Sequence, residues 1–242
     1  MGMVSVIMNT VNERRDYLDL AIQSWLNQEG IEIELIVSTV EGDVNIDYIR
    51  ENYPLVNVVT MPREDHPISK GGKCPLGSFM QINNALPHIN GGWFTFASSN
   101  DIAYPFKALS EVKMCQDNSK LICYSDIDQI DENGSLIRTV KLRDYDRAAH
   151  QQGNFVADCS MVHISIVRGF LPFRTELNNY AYWDLWLRVY EKLGDVFIHQ
   201  PRSTWGYRQD SNSMHVKRSK SPEQIAEAQK DRSRMLALHP LK

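Results

Sequence analysis

One short segment of the sequence places an acid directly after an apolar run. Residues 93–97 read Trp-Phe-Thr-Phe-Ala, three small polar residues follow at 98–100, and Asp101 comes next. A bulky run that ends in small polar residues predicts a strand covered on both faces, and open α/β sheets bind ligands beyond the carboxyl ends of such strands. Asp101 is therefore predicted at a sheet edge, where a divalent cation or a phosphate group would bind. The alternative is an ordinary turn, because Asn100 and Asp101 both tolerate turn geometry.

The elements that must position this acid alternate between strands and helices. The apolar patterns predict strands at 4–8, 33–37, 56–59, 93–97, 121–124 and 196–199, and helices at 17–26, 77–86, 178–193 and after Pro222. Such alternation predicts the α/β class, with a mainly parallel sheet and right-handed crossovers. The sequence Asp-Glu-Asn-Gly at 131–134 predicts a hairpin turn, whereas 138–175 predicts loops and short elements.

Composition and charge bound the class of protein. The chain has 242 residues and a formal net charge of −4, so its length favours one domain and its charge provides no general attraction to nucleic acid. The first residues lack the basic start and the cleavage site of a signal peptide, and no apolar run reaches transmembrane length, so we expect a cytoplasmic protein. The four cysteines form no CxxC pair, and their spacing suggests neither a zinc site nor a disulfide framework.

Five segments taken together resemble the family 2 inverting glycosyltransferases of GT-A fold. The segments are residues 4–14, 77–86, 96–105, 180–188 and 205–215, so the resemblance spans nearly the whole chain. It implies a nucleotide-binding, mainly parallel central sheet flanked by helices, with a small C-terminal acceptor-side extension. The implied domain is one GT-A unit over residues 1–215, with a donor half at about 1–110 and an acceptor half at about 111–215, and a C-terminal helical extension follows at 216–242.

The donor-binding residues come from this resemblance. Thr10, Asn12 and Glu13 follow the first strand, in the loop that would approach the base and ribose of a nucleotide. The second strand of the family usually ends in an aspartate that binds uracil, but here residues 38–43 read Ser-Thr-Val-Glu-Gly-Asp, which leaves the base unspecified. The donor-binding set that the resemblance implies is Thr10, Asn12, Glu13, Thr39, Asn83, Asn100, Arg208 and Ser213.

A divalent cation, Mn²⁺ or Mg²⁺, is the implied cofactor. Asp101 stands in the place of the family's aspartate-rich metal motif, which keeps one carboxylate here. Hard cations take oxygen ligands, usually from one or two carboxylates and the donor phosphates. Asp210 and His215 are further candidate ligands in the last segment. In the same segment Arg208 would neutralise the charge of the leaving diphosphate, because a guanidinium fits the geometry of phosphate oxygens.

The catalytic base is predicted at Asp184. Inversion requires a carboxylate that removes the proton of the attacking hydroxyl, and the family position for that group, two residues before Asp184, holds Tyr182 here. Asp184 is the one acid of residues 180–188, and apolar neighbours on its side of the helix would raise its pKa toward that of a useful base. The alternatives are a structural ion pair with Arg188 or a helix cap, and Glu176 is the reserve base.

The resemblance implies transfer of a sugar from a nucleoside diphosphate donor to a carbohydrate or lipid-linked acceptor, with inversion at the anomeric carbon. The expected partners are this nucleotide sugar and its acceptor, with peripheral membrane contact through the C-terminal helix as an option. Two other classes stay open. One is a non-catalytic member of the fold that binds a nucleotide or sugar. The other is a sugar nucleotidyltransferase, although residues 9–15 lack the glycine-rich phosphate loop of that class.

Overall fold

The structure is a computed structural model that describes residues 2–67, 76–209 and 222–240. Its strands are β1 (Val4–Asn9), β2 (Ile33–Val40), β3 (Asn57–Met61), β4 (Trp93–Ser98), β5 (Ile102–Ala103), β6 (Ile122–Ser125), β7 (Ile127–Ile130), β8 (Leu136–Val140), β9 (Met161–His163), β10 (Phe197–Gln200) and β11 (Trp205–Arg208). Its helices are α1 (Arg15–Leu26), α2 (Ile46–Asn52), α3 (Leu76–Ala85), α4 (Lys107–Asp117), α5 (Arg147–Gln152), α6 (Ile164–Phe170), α7 (Ala181–Leu193) and α8 (Pro222–Ala237). Short 3₁₀ segments lie at Arg63–Asp65, Leu86–His88 and Thr175–Tyr180.

The central sheet of the described chain has seven strands in the order β10-β6-β9-β4-β1-β2-β3. Its neighbours pair in parallel except at β9, which runs antiparallel to both β4 and β6. A smaller sheet has the order β5-β11-β7-β8. The carboxyl ends of β1, β2, β4 and β6 therefore share one edge, and β9 begins at this same edge because it runs against its neighbours.

The central sheet is covered on both faces, as the apolar runs of its strands predict. Along β1, Val4, Val6 and Met8 pack into a cluster with side chains of α1, α2 and α4. Ile7 packs into the opposite cluster, which includes Phe96 and side chains of α3, α6 and α7. This division follows from the strand itself, because successive side chains point to opposite faces. Helices on both sides of a mainly parallel sheet confirm the predicted α/β class.

Sequence patterns located most of this sheet. Each predicted strand overlaps an observed one, and the predicted helices overlap α1, α3, α7 and α8. The predicted hairpin is confirmed, because β7 and β8 pair antiparallel across the turn at 131–134, where Gly134 has a φ of +87°. The patterns missed α4, whose buried side includes Lys107 and Glu111, an ion pair with an N–O distance of 2.7 Å. A charged pair on the buried side interrupts the apolar period that indicates a helix.

Within the described ranges, no helix combines the length and the apolar character that a membrane span needs.

The turn before β4 leaves no room for a side chain at Gly91. A Cβ atom there would lie 2.6 Å from the backbone nitrogen of Ser5 and 2.8 Å from the carbonyl oxygen of Met3.

We expect Gly91→Ala to lower the free energy of unfolding by about 1–3 kcal/mol, because the strand backbone cannot move aside without losing hydrogen bonds to its neighbouring strands. Gly92→Ala is the matched control, since a Cβ atom there has nothing within 4 Å. Urea denaturation measures both variants, and an unchanged midpoint for Gly91→Ala would contradict the prediction.

Candidate active site

Asp101 lies at the shared carboxyl edge of the sheet, as predicted. It follows β4, is 8% exposed, and accepts a hydrogen bond at Oδ1 from the backbone N–H of Arg208 at 2.8 Å. Burial raises the pKa of the Asp101 carboxyl to about 7; the charges of Asp158 and Glu13 act in the same direction, and Arg208 opposes them. Acids from three separate segments of the chain therefore lie within electrostatic reach of one another.

The loop after β1 is connected to this edge by side-chain hydrogen bonds. Ser99, two residues before Asp101, donates to Oε2 of Glu13 at 3.3 Å. Asp43, just beyond β2, accepts from the backbone N–H of Asn12 at 2.7 Å and from the Thr39 hydroxyl at 2.8 Å. The structure thus brings together Asn12 and Thr39 from the predicted donor set. The residue that joins them, Asp43, was not a predicted site residue.

Thr10 and Asn12 offer different groups to a ligand. Thr10 is 3% exposed, and its hydroxyl has no hydrogen-bond partner among the described residues. A buried hydroxyl without a partner costs free energy, so a ligand atom that bonds to it would remove that cost. Asn12 is exposed and has a φ of +49°, in the left-handed region that asparagine tolerates better than most side chains. Its backbone is therefore held in a special conformation by Asp43.

Two asparagines of the predicted donor set are engaged by the protein itself. Asn83 donates from Nδ2 to the carbonyl oxygen of Phe173 at 3.1 Å and accepts at Oδ1 from the Phe173 N–H at 2.8 Å. Both ends of its amide are occupied, so Asn83 connects α3 to the segment before α7, and its predicted donor contact is not supported. Asn100 stays at the sheet edge, where its Oδ1 accepts from the Ser98 hydroxyl at 2.6 Å.

Arg208 is buried rather than open to a diphosphate. It is 1% exposed, and its guanidinium donates to the backbone carbonyl oxygens of Asn100, Asp131 and Glu132 at 2.8, 3.1 and 2.8 Å. It also lies over the ring of Tyr17, with 4.4 Å from Cζ to the ring centroid. The predicted diphosphate contact stays a prediction, and Nη2 of this guanidinium has no hydrogen-bond partner among the described residues. The guanidinium donates to carbonyl oxygens of two turns, and so it positions the turn after β4 against the hairpin turn between β7 and β8.

Asp184 is fully buried within a network of charged groups. Its Oδ1 accepts from Arg174 at 3.1 Å and lies 2.9 Å from Nε2 of His239, and its Oδ2 accepts from Arg188 at 2.8 Å. Burial acts to raise the pKa of Asp184, but the His239 hydrogen bond and the two arginine charges outweigh it and hold the pKa below its ordinary value. The predicted rise is wrong, and the alternative ion pair with Arg188 is observed. In this arrangement an acceptor hydroxyl has no access to the carboxylate.

The surroundings of Asp101 fit a cation held largely by the phosphates of a ligand. Its Oδ2 has no hydrogen-bond donor among the described residues, and two other acids lie within electrostatic reach. The described part of the chain contains no group of three His, Cys, Asp or Glu side chains that could hold a metal by themselves. One carboxylate with water and substrate phosphates is a common arrangement for Mg²⁺. The other predicted ligands, Asp210 and His215, and the predicted donor residue Ser213 lie outside the described residues.

Asp158 is an acid of this edge that the sequence patterns did not indicate. It lies three residues before β9, which begins beside the carboxyl ends of β4 and β6. Water reaches the residue, yet protein atoms crowd its carboxyl group and remove enough hydration to raise the pKa to about 7. Its segment has no clear apolar period. The sequence feature that could have indicated Asp158 is an acid among small residues just before the short apolar stretch at Met161.

The sequence matches no protein-family model and no curated protein, but the structure matches solved ones. It aligns over 99% of the chain with S. aureus TarS 1–349 in complex with UDP, covering 67% of that chain at a TM-score of 0.67 and 14% identity. With TarS 1–349 in complex with UDP-GlcNAc it aligns over 99% of this chain and 68% of that one, at a TM-score of 0.70 and 15% identity. This chain has the GT-A fold.

The GT-A fold is what the five sequence segments implied, so the predicted fold class is confirmed. A longer crystal structure of S. aureus TarS is covered to 40% of its length, at a TM-score of 0.67 and 14% identity. Identities this low show the fold and leave the chemistry to be argued from the residues of this chain.

We expect Asp184→Asn to lower the free energy of unfolding by about 3 kcal/mol, because the substitution leaves Arg174 and Arg188 without their buried anion. The folded-state pKa of Asp184 lies below the ordinary 3.8, so its contribution is complete above that pH and is lost as the pH falls through the folded-state pKa. Denaturation at several pH values measures both effects. Asp117→Asn, at an exposed acid that ends α4, is the control and should change stability by less than about 0.5 kcal/mol. Wild-type stability in Asp184→Asn would contradict a structural role.

Proposed function

We propose that this protein is an inverting glycosyltransferase that takes a sugar from a nucleoside diphosphate donor and transfers it to a carbohydrate or lipid-linked acceptor. Support comes from the shared fold of the chain and TarS, whose solved structures contain UDP and UDP-GlcNAc. The observation that carries the proposal is the position of Asp101 at the carboxyl edge of the sheet, where its Oδ2 has no hydrogen-bond donor among the residues that the structure describes. That edge is where α/β sheets bind ligands.

In this proposal the donor binds along the loops after β1, β2 and β4. Asn12 and Thr39, joined through Asp43, would contact the nucleoside, together with the partnerless hydroxyl of Thr10. Asp101 and the donor phosphates would hold a divalent cation, Mn²⁺ or Mg²⁺, which supplies positive charge for the leaving diphosphate when bound. Glu13 accepts a hydrogen bond from Ser99, and Asn100 accepts one from Ser98. Both side chains therefore lie beside the turn that carries Asp101.

The reaction would be a single in-line displacement at the anomeric carbon. The protein contributes by holding donor and acceptor in line, which removes the entropy cost of bringing them together. Arg208 contributes indirectly, because its backbone N–H and guanidinium fix the position of Asp101 and of the turn that carries it. Removal of the proton from the acceptor hydroxyl requires a carboxylate other than Asp184, because Asp184 is fully buried.

A non-catalytic member of the fold that binds a nucleotide or sugar is the second candidate. One observation favours it, namely that the acid predicted as the base is buried and bonded to three positively charged or imidazole groups. This candidate predicts nucleotide binding without release of nucleoside diphosphate from any donor. No feature of the described site favours the nucleotidyltransferase class.

We also propose the division into a GT-A domain that ends near residue 215 and a C-terminal helical extension. Helix α8 packs against α7 through Met235, Trp183 and Leu187, and His239 beyond it reaches Asp184. Such contacts support an extension that is docked on the acceptor half. A cytoplasmic location and peripheral contact of this helix with a membrane complete the proposal.

The donor proposal is tested by a screen of UDP, GDP, dTDP and CMP sugars, each with and without Mn²⁺, by thermal shift and by release of free nucleotide. We expect one nucleotide class to stabilise the protein in a metal-dependent manner. Asp101→Asn keeps an Oδ1 atom that can accept from the Arg208 N–H. We expect it to weaken nucleotide binding by about 10- to 100-fold, because a charge-assisted contact contributes about 1.5–3 kcal/mol. Asp117→Asn is the control. Failure of every nucleotide to bind the wild-type protein would overturn the proposed function.

A further inference from the structure

We propose that Asp158 is the general base of the transfer reaction, accepting the proton of the acceptor hydroxyl as that oxygen attacks the donor sugar. The inference rests on the proposed function and assigns the acceptor side of that same site. It is carried by three features of the structure. Asp158 is held at the carboxyl edge of the central sheet, its carboxyl group has no hydrogen-bond or ion-pair partner among the described residues, and two tyrosines lie within its electrostatic reach.

The backbone on both sides of Asp158 is fixed to the central sheet. The hydroxyl of Thr95, on β4, donates to the carbonyl oxygen of Cys159 at 3.0 Å. The N–H of Ser160 donates to the carbonyl oxygen of Ala157 at 3.2 Å, which closes a turn around Asp158. Strand β9 then begins and pairs with both β4 and β6. A side chain on such a frame is held in place before a substrate arrives, as a catalytic group must be.

The carboxyl group of Asp158 differs from those of Asp126 and Asp184 in having no partner in the part of the chain that the structure describes. Among the described residues no hydrogen bond or ion pair reaches it, and loss of hydration is the effect that acts on it. Asp126 and Asp184, in contrast, are fully buried and each has three partners. A crowded, unpaired carboxylate lowers stability when it is ionised, and such groups concentrate at functional sites.

Two tyrosines lie within electrostatic reach of Asp158. Tyr182 lies in the first turn of α7 and Tyr207 lies on β11. Loss of hydration raises the pKa of both phenols, and the charge of Asp158 raises both pKa values further. The ring of Tyr182 is fixed by packing against Phe79 and Phe173, at centroid distances of 5.1 and 4.9 Å. The aromatic rings would provide apolar contact for a sugar ring, and the carboxylate would accept the proton of its hydroxyl group. An acceptor sugar requires both.

The proposed step balances without a further reactant. The acceptor O–H bond breaks as its proton passes to the Asp158 carboxylate, and the acceptor oxygen forms a bond to the anomeric carbon. The bond from that carbon to the diphosphate oxygen breaks, and its electron pair leaves with the nucleoside diphosphate. Asp158 then gives the proton to water. Its pKa of about 7 suits this cycle, because a base is most effective when its pKa lies near the working pH.

The test compares full-length wild type, Asp158→Asn and the control Asp117→Asn with the nucleotide sugars of the donor screen. Calorimetry measures donor binding, and release of nucleoside diphosphate is measured with water alone and with added acceptor sugars. We expect Asp158→Asn to bind donor as the wild type does while its release rate falls by about 100-fold or more. Its thermal midpoint above neutral pH should rise, because the substitution removes a crowded and unpaired charge, and the rise should vanish in acid, where Asp158 is protonated.

The other outcomes separate the two proposals. A wild type that neither binds nor turns over any donor overturns the proposed function, and the base with it. A wild type that binds donor without release establishes the non-catalytic candidate and also removes the base. Wild-type turnover with an undiminished rate in Asp158→Asn overturns the base alone. Loss of donor binding or of stability in Asp158→Asn shows a structural role and overturns the inference.

Discussion

One buried arginine holds the carboxyl edge of the central sheet together. The guanidinium of Arg208 binds the backbone of the turn after β4 and of the hairpin turn between β7 and β8, while its own N–H binds Asp101. A guanidinium has five donors in a fixed fork, so one side chain can bond to the carbonyl oxygens of both turns. The central sheet and the smaller sheet are thereby fastened at the point where the candidate site lies.

Two acids of this chain, Asp184 and Asp158, show how the surroundings of a carboxyl group suit it to a structural or to a chemical role. Asp184 loses its hydration completely and is compensated by Arg174, Arg188 and His239, so it remains ionised and fixes the chain beyond α8 to α7. Asp158 loses hydration to nearby protein atoms and gains no hydrogen bond or ion pair from the described residues. Its pKa therefore rises to about 7, and the carboxyl group exchanges its proton easily near neutral pH. A carboxylate that loses hydration without gaining partners is costly when ionised, and this cost is tolerated where a group must change its charge during function.

Much of the fold could be predicted from the sequence, because the strands of the central sheet are apolar runs and α1 and α7 have clear apolar stripes. The position of Asp101 followed from the same rule. What local patterns could not indicate were β9, with three residues, and α4, whose buried side carries Lys107 and Glu111. Both depend on neighbours supplied by distant parts of the chain, such as Thr204, whose hydroxyl accepts from Lys107 and donates to Glu111.

The α/β class, the order of the main elements and the acid at a strand end could be predicted from the sequence alone, since these depend on local periodicity and on residue type. Which acids are fully buried and paired, and which keep contact with water, depends on tertiary contacts. The partners of Asp184 lie as far as 55 residues away along the chain, and Asp158 reaches the sheet edge only because β9 runs antiparallel between β4 and β6. Charge state depends on such distant neighbours, and spacing along the chain does not encode them.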